Sequence, residues 1–123
     1  MNNHKKFGVW MDTHNAIIVG TENGGTGPIK VLAHIGAEEV SPHPSEKNEH
    51  NQKKMLQAKF FKEITSHLQN ATHVYATGTG QVQEQFIHHL ADTPQFKNAI
   101  TEESTANRMS DEKLLEFFSE KLN

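Results

Sequence analysis

Apolar residues fall into short runs in the first third of the chain, and these runs predict three strands. They cover residues 7–11, 14–20 and 29–35. The interval 12–15 is typical of a hairpin turn, and the glycine-rich stretch 23–28 is typical of a second turn. Strands joined by short turns pair antiparallel, so this part of the chain predicts a meander.

After a largely polar segment at 37–50, the spacing of apolar residues becomes that of a helix. The segment is predicted to be a loop because it is punctuated by Pro42 and Pro44. From about Asn51 the apolar side chains share one stripe, which predicts a helix that ends near Asn70. The stripe consists of Leu56, Phe60, Phe61, Ile64 and Leu68.

The rest of the chain alternates strand and helix. A strand at 73–76 leads through a glycine turn into a helix that Pro94 stops, and a strand around 99–102 precedes a last helix opened by Ser110. Strands joined through a helix lie parallel, whereas hairpin strands lie antiparallel. We therefore expect an α/β domain with a mixed five-stranded sheet and helices packed on it.

The predicted element order, βββαβαβα, is the layout of ribonuclease-H-like three-layer folds. A chain of 123 residues suffices for one such domain, which we assign to residues 1–123 with a polar loop around 37–50. Unrelated functions share this layout, so the function depends on the residues of the site.

The glycine turn between the fourth strand and the second helix is the first candidate site. Its backbone N–H groups at Gly80, Gln81 and Val82 should lie unpaired at a positive helix end, a geometry that suits phosphate or another anion. The alternative is that the segment only turns the chain. The candidate binding residues are Thr77, Gly78, Thr79, Gly80 and Gln81.

Charge is spread unevenly along the chain. The formal net charge is -3, and residues 101–123 hold six acidic and three basic side chains. By contrast, the segment 46–63 has five lysines and three glutamates. Such a face could contact a polyanion such as RNA, or it could be an ordinary solvated helix surface.

Composition excludes several classes of function. The chain has no cysteine, so it has no disulfides, thiolate metal sites or cysteine nucleophiles. It has no apolar run long enough for a signal peptide or a membrane span, and we expect a cytoplasmic protein. The nine histidines lack the spacing of metal ligands, and we expect no cofactor.

A metal-dependent nuclease is the alternative from a different class. Ribonuclease-H-like nucleases need several carboxylates that converge on one or two Mg²⁺ ions. Asp12 at the end of the first strand and Glu63 on the first helix are the candidate ligands. The fourth strand ends in Thr77 and Gly78, where a third carboxylate would be needed, and Asp12 could equally cap a turn near His14.

Three parts of the chain carry a family pattern. They are the sequence Gly-Val-Trp-Met-Asp at 8–12, the strand and turn at 74–80 with Glu84 and Phe86, and the segments 102–103 and 108–110. Together they resemble the middle domain of class-one peptide chain release factors of eukaryotes and archaea, and their Pelota-like and bacterial relatives. The segment 8–12 is similar to the opening strand of the small bacterial relatives, and the resemblance covers nearly the whole chain.

The chain departs from the catalytic members of that family at one decisive place. Their Gly-Gly-Gln tripeptide precedes the long basic helix, whereas residues 41–54 contain no glycine. The resemblance therefore implies an RNA- or ribosome-binding scaffold without hydrolytic activity and without DNA sequence readout. Its phosphate contacts would be Lys53, Lys54, Lys59 and Lys62. A protein-interaction module is a further alternative.

Overall fold

Five strands and three helices make up the part of the chain that the structure describes. The computed structural model describes residues 5–21, 28–36 and 46–122, and the side chains of all of these except 46–53. The strands are β1 (Lys6–Met11), β2 (Asn15–Gly20), β3 (Lys30–Gly36), β4 (His73–Gly78) and β5 (Ile100–Thr105). The helices are α1 (Glu46–Ser66), α2 (Val82–Ala91) and α3 (Asp111–Leu122), with a one-turn 3-10 helix at Pro94–Phe96 between α2 and β5.

The strands form a single mixed sheet in the order β3-β2-β1-β4-β5. The hairpin strand β2 is antiparallel to both β1 and β3, while β1, β4 and β5 are parallel. This division follows from the connections, because β4 and β5 are each reached through a helix. The predicted α/β class and the mixed five-stranded sheet are confirmed.

Two buried clusters lie on opposite faces of the sheet. On one face, Phe61 and Ile64 of α1 and Phe86 of α2 pack against strand residues that include Val9. On the other face, Phe118 of α3 belongs to a cluster with residues of β1 and β2. The second cluster consists of Trp10, Ile17, Val19, Leu114, Phe118 and Leu122. The sheet is therefore the middle of three layers.

The helix α3 approaches β1 at a glycine. A Cβ atom added to Gly8 would lie 2.5 Å from Cδ1 of Phe118, closer than side-chain carbons approach one another. Phe118 is fully buried, so its ring has no free space into which it could move. The distance between this helix and the sheet therefore depends on the absence of a side chain at position 8.

The first helix is longer at its start than the apolar pattern predicts. It begins at Glu46, inside the range assigned to the polar loop, rather than near Asn51. Residues 46–54 contain no apolar side chain, so a prediction from apolar periodicity has no signal there. The helix ends at Ser66, and Asn70 follows with a left-handed φ of 62° that turns the chain toward β4.

The strand β5 also extends beyond its prediction, to Thr105. Its last residues are polar and do not resemble a strand in sequence. They are ordered by pairing with β4, where Ser104 lies opposite Thr77 and Thr105 opposite Gly78.

The adjacent histidines of α2 have different surroundings, because neighbouring residues of a helix point about 100° apart. His88 is exposed, whereas the ring of His89 lies 5.5 Å from that of Phe61 and is stacked at 6.3 Å on that of Phe86. Burial lowers the pKa of His89 below its ordinary value, and the charge of Asp92 partly opposes this shift. His89 is therefore a half-buried residue that borders the core on Phe61 and Phe86.

We expect Gly8→Ala to lower the free energy of unfolding by about 2–3 kcal/mol, because the new methyl group overlaps the ring of Phe118. Urea unfolding followed by circular dichroism measures the change. Gly36→Ala is the matched control, since no atom lies within 4 Å of its added Cβ and Gly36 is also a strand residue. Equal stability of the two variants would contradict this account of the α3 packing.

Candidate functional site

The parallel strands β1, β4 and β5 end at one edge of the sheet, and most of the candidate residues lie there. These strands end at Met11, Gly78 and Thr105. In open α/β sheets, ligands bind outside the carboxyl ends of the parallel strands. We call this side of the domain the carboxyl edge.

The two glycines of the predicted turn have different roles. A side chain at Gly78 would collide with the carbonyl oxygen of Met11 in the neighbouring strand, so this glycine permits the close approach of β1 and β4. An added Cβ at Gly80 would meet no atom within 4 Å. Thr79, Gly80 and Gln81 are exposed, whereas Gly78 is buried. The accessible part of the turn is therefore 79–81.

Thr77 is buried, and its hydroxyl is hydrogen-bonded inside the domain. Its hydroxyl donates to the carbonyl oxygen of Ser104 at 3.2 Å and accepts from the Ser104 hydroxyl at 2.9 Å. The Nε2 atom of Gln83 donates to the same carbonyl at 3.1 Å. Together these bonds join β4, β5 and α2. Neither Gln83 nor Ser104 was a candidate from sequence, because an isolated Gln or Ser carries no distinctive pattern.

One atom of this network lacks a partner. Gln83 is only 1% exposed, and its Oε1 atom accepts no hydrogen bond from the described residues. The amide cannot be reversed without turning Oε1 toward the carbonyl of Ser104, since Nε2 faces that oxygen. A buried acceptor of this kind is destabilising by about 1–3 kcal/mol.

The start of α2 has no side-chain cap. Gln81 is the N-cap residue and makes no capping bond through its side chain, while its carbonyl oxygen accepts from the amide of Gln85 at 2.9 Å. The exposed turn thus leads to a positive helix end, as an anion site requires. Glu84 in the first turn already places a negative charge there, which weakens the attraction for a further anion.

Lys59 and Lys62 lie on the side of α1 that faces away from the sheet, together with Met55, which is 71% exposed. Lys54 is also exposed but lies on the flank of the helix, about 140° from Lys59 around its axis. At 100° per residue, Lys59 and Lys62 are about 60° apart around the helix axis and Lys54 is about 80° from Lys62. Lys53 is also part of the helix, but its side chain is outside the described residues.

Contacts between α1 and α2 show how far along the helix axis each lysine lies from the carboxyl edge. Nε2 of Gln57 donates to Oε1 of Gln85 at 2.9 Å, and one turn further on Phe61 contacts His89. The helices therefore run side by side in the same direction, with Gln57 level with Gln85. It follows that Lys54 is level with Val82, the first residue of α2.

The start of α1 extends past the carboxyl edge. Eight helical residues, 46–53, precede Lys54, and they rise about 12 Å beyond the start of α2. In the opposite direction, Lys59 and Lys62 lie about 7 and 12 Å further from that edge than Lys54. The structure thus places Lys54 at the height of the exposed turn and the other two lysines below it.

The two candidate metal ligands are not brought together. Oδ1 of Asp12 accepts from the backbone amides of His14 at 2.8 Å and Asn15 at 2.6 Å, which is the turn-capping role. Glu63 lies in the last turn of α1, which ends near the start of β4, whereas Asp12 follows the carboxyl end of β1. In the described part of the chain, no group of three or more histidine, aspartate or glutamate side chains could hold a metal ion.

These features define a three-layer α/β domain with a mixed five-stranded sheet, a long outer helix and an uncapped turn at its carboxyl edge. No family model matches the chain, and no curated protein matches it.

Among solved structures, the chain is similar to the Pelota protein of Thermoplasma acidophilum, with 20% identity and a TM-score of 0.62 over 94% of this chain and 32% of that one. It is similar to the archaeal translation termination factor aRF1, with 15% identity and a TM-score of 0.60 over 98% of this chain and 35% of that one. It is also similar to Pelota of Archaeoglobus fulgidus, with 13% identity and a TM-score of 0.60 over 98% of this chain and 32% of that one.

The chain spans about a third of the length of each of these proteins. The predicted resemblance to release factors and Pelota is confirmed at the level of the fold.

We expect Gly78→Ala and Gly80→Ala to differ sharply in stability. The first substitution forces β4 away from the Met11 carbonyl and should lower the free energy of unfolding by about 3 kcal/mol. The second adds a methyl group in open space and should change it by less than about 0.5 kcal/mol. Urea unfolding of both variants checks the assignment, and a Gly80→Ala variant as unstable as Gly78→Ala would refute it.

Proposed function

We propose that this chain is a non-catalytic, translation-associated domain that binds ribosomal RNA through the exposed lysines of α1. The observation that carries the proposal is the set of exposed lysines on a helix that extends past the carboxyl edge: Lys54, Lys59 and Lys62. The exposed turn at 79–81 is a second contact, since Lys54 lies at its height. Lys53 belongs to the same segment.

The distribution of charge supports an approach of RNA from the α1 side. The acidic excess of the chain lies in its last segment, and Glu112, Glu116 and Glu120 are exposed on α3. Because α1 and α3 pack on opposite faces of the sheet, the domain has a lysine-bearing side and an acidic side. Such a charge separation orients the domain toward a polyanion even though the net charge is -3.

Lysines of this kind contact phosphates and do not read base edges. An ammonium group on a flexible stem supplies charge without a fixed donor pattern, so binding should depend on RNA shape and salt and show no DNA sequence readout.

The link to translation is supported by the fold shared with Pelota and the archaeal termination factor. The absence of glycine in 41–54 argues against hydrolysis of the kind that the Gly-Gly-Gln tripeptide performs. No described helix is long and apolar enough to cross a bilayer, and a cytoplasmic location stays a prediction.

The nuclease alternative lacks a supporting observation. Asp12 uses one carboxylate oxygen to cap the hairpin turn, and Glu63 lies at the far end of α1 from the carboxyl edge. Two carboxylates that do not converge cannot hold the metal ions that this chemistry needs.

Cosedimentation with purified ribosomes at low salt tests the proposal. We expect the double variant Lys54→Ala/Lys62→Ala to bind more weakly, and the slope of log K against log salt to fall by about one per lysine removed. The control is Lys97→Ala/Lys113→Ala, which removes two exposed lysines elsewhere on the domain. Equal loss in both double variants, or no ribosome binding by the wild type, would overturn the proposal.

A further inference from the structure

Among the described strands, β5 is the last of the sheet, and we call its outer side the free edge. The amides of Ile100 and Ala106 donate to Thr72 and Gly78 on the β4 side, at 2.8 Å each. Because backbone groups alternate in direction along a strand, those of residues 101, 103 and 105 point away from β4. No described strand pairs with this side of β5. The edge therefore presents the backbone N–H and C=O groups of three residues on its outer side.

Among the described helices, none packs closely over one face of β5. The helix α2 packs over its other face, whereas α3 packs over β1 and β3. No residue of β5 belongs to either buried cluster. Ile100 is consequently 57% exposed although it lies in a strand, and Tyr75 beside it is only partly buried. Ile100 and part of the Tyr75 ring thus form a short apolar strip beside the free edge, with the exposed Glu102 on the same face.

A shallow cavity continues this strip beneath the end of α3. Its volume is about 170 Å³, and its lining includes Lys6, Tyr75, Ile100, Glu102, Lys121 and Leu122. Sites for small-molecule ligands typically measure about 300–1,000 Å³. The size of this cavity suits one large side chain of a partner better than a free ligand.

We propose that the free edge of β5 binds an extended segment of a partner protein as a sixth strand. In strand addition, main-chain hydrogen bonds hold the segment and pockets for alternate side chains select it. A large apolar side chain of the segment would lie beside Ile100 and reach the cavity. Basic side chains would alternate with the apolar ones on the face of Glu103, whose carboxylate is exposed.

The same charges argue against a second copy of this chain as the occupant. Outward residues must pair with outward residues, so the central antiparallel registers of two β5 strands place either Glu102 or Glu103 opposite its own copy. Like charges directly opposite each other destabilise a strand pair. The edge therefore selects a basic and apolar segment and disfavours self-association.

The test uses a capped hexapeptide in which lysines alternate with apolar residues, two valines and one phenylalanine. The peptide is titrated into the full chain, and the backbone amide shifts are followed by NMR. We expect the largest shifts at Thr101, Glu103 and Thr105, whose N–H groups point outward. The variant Glu103→Pro removes one outward N–H without breaking a bond to β4, and should weaken binding by about tenfold or more. Glu103→Ala keeps the N–H and should weaken it less.

Two further probes keep the result independent of how well Glu103→Pro folds. The same peptide methylated at alternate backbone nitrogens, and an acidic analogue with glutamate for lysine, should both bind the wild type much more weakly. Equal binding of either peptide would overturn the proposal. So would shifts confined to α1, or a dimer of the chain alone that Glu103→Pro abolishes.

Discussion

The burial of β1 on both of its faces is the constraint on which the rest of the structure depends. The strand is the third of five in the sheet, and its side chains alternate between the two buried clusters, with Val9 and Met11 on one face and Trp10 on the other. Complete burial of a valine or methionine side chain stabilises the fold by roughly 1.5–3 kcal/mol.

Glycine sets the approach of other elements to β1 and its neighbour β4. At Gly8 the ring of Phe118 occupies the space of a side chain, and at Gly78 the carbonyl of Met11 does so. Nε1 of Trp10 also donates to the carbonyl oxygen of Ala106 at 3.2 Å, which ties the segment after β5 to the central strand. These contacts hold the carboxyl edge and thereby the position of the exposed turn.

Several parts of this structure could be predicted because their sequences carry a burial signal. The runs that became β1 and β2 are buried along nearly their whole length, and the apolar stripes of α1 and α2 face one cluster. The start of α1 and the end of β5 lack such a signal, since their residues are polar and are ordered by continuation of a helix or by pairing.

The candidate site was less accessible to sequence reasoning than the fold. The sequence Thr-Gly-Thr-Gly does not distinguish the two glycines. An added side chain would collide with the Met11 carbonyl at Gly78, whereas it would meet no atom at Gly80. It also does not reveal that Thr77 is bonded to Ser104, because that contact joins residues 27 positions apart. The cavity beside Ile100 arises from the placement of α3, which no local pattern encodes.

The central claim is that the lysine-bearing side of α1 contacts ribosomal RNA. Site-specific photo-crosslinking to purified ribosomes tests it most directly, with the photoreactive residue at Met55, which is 71% exposed among the lysines. The control position is Glu116, exposed on the acidic helix α3. The account predicts ribosomal RNA adducts from position 55 and few from position 116. Equal adducts from both positions, or none from position 55, would contradict it.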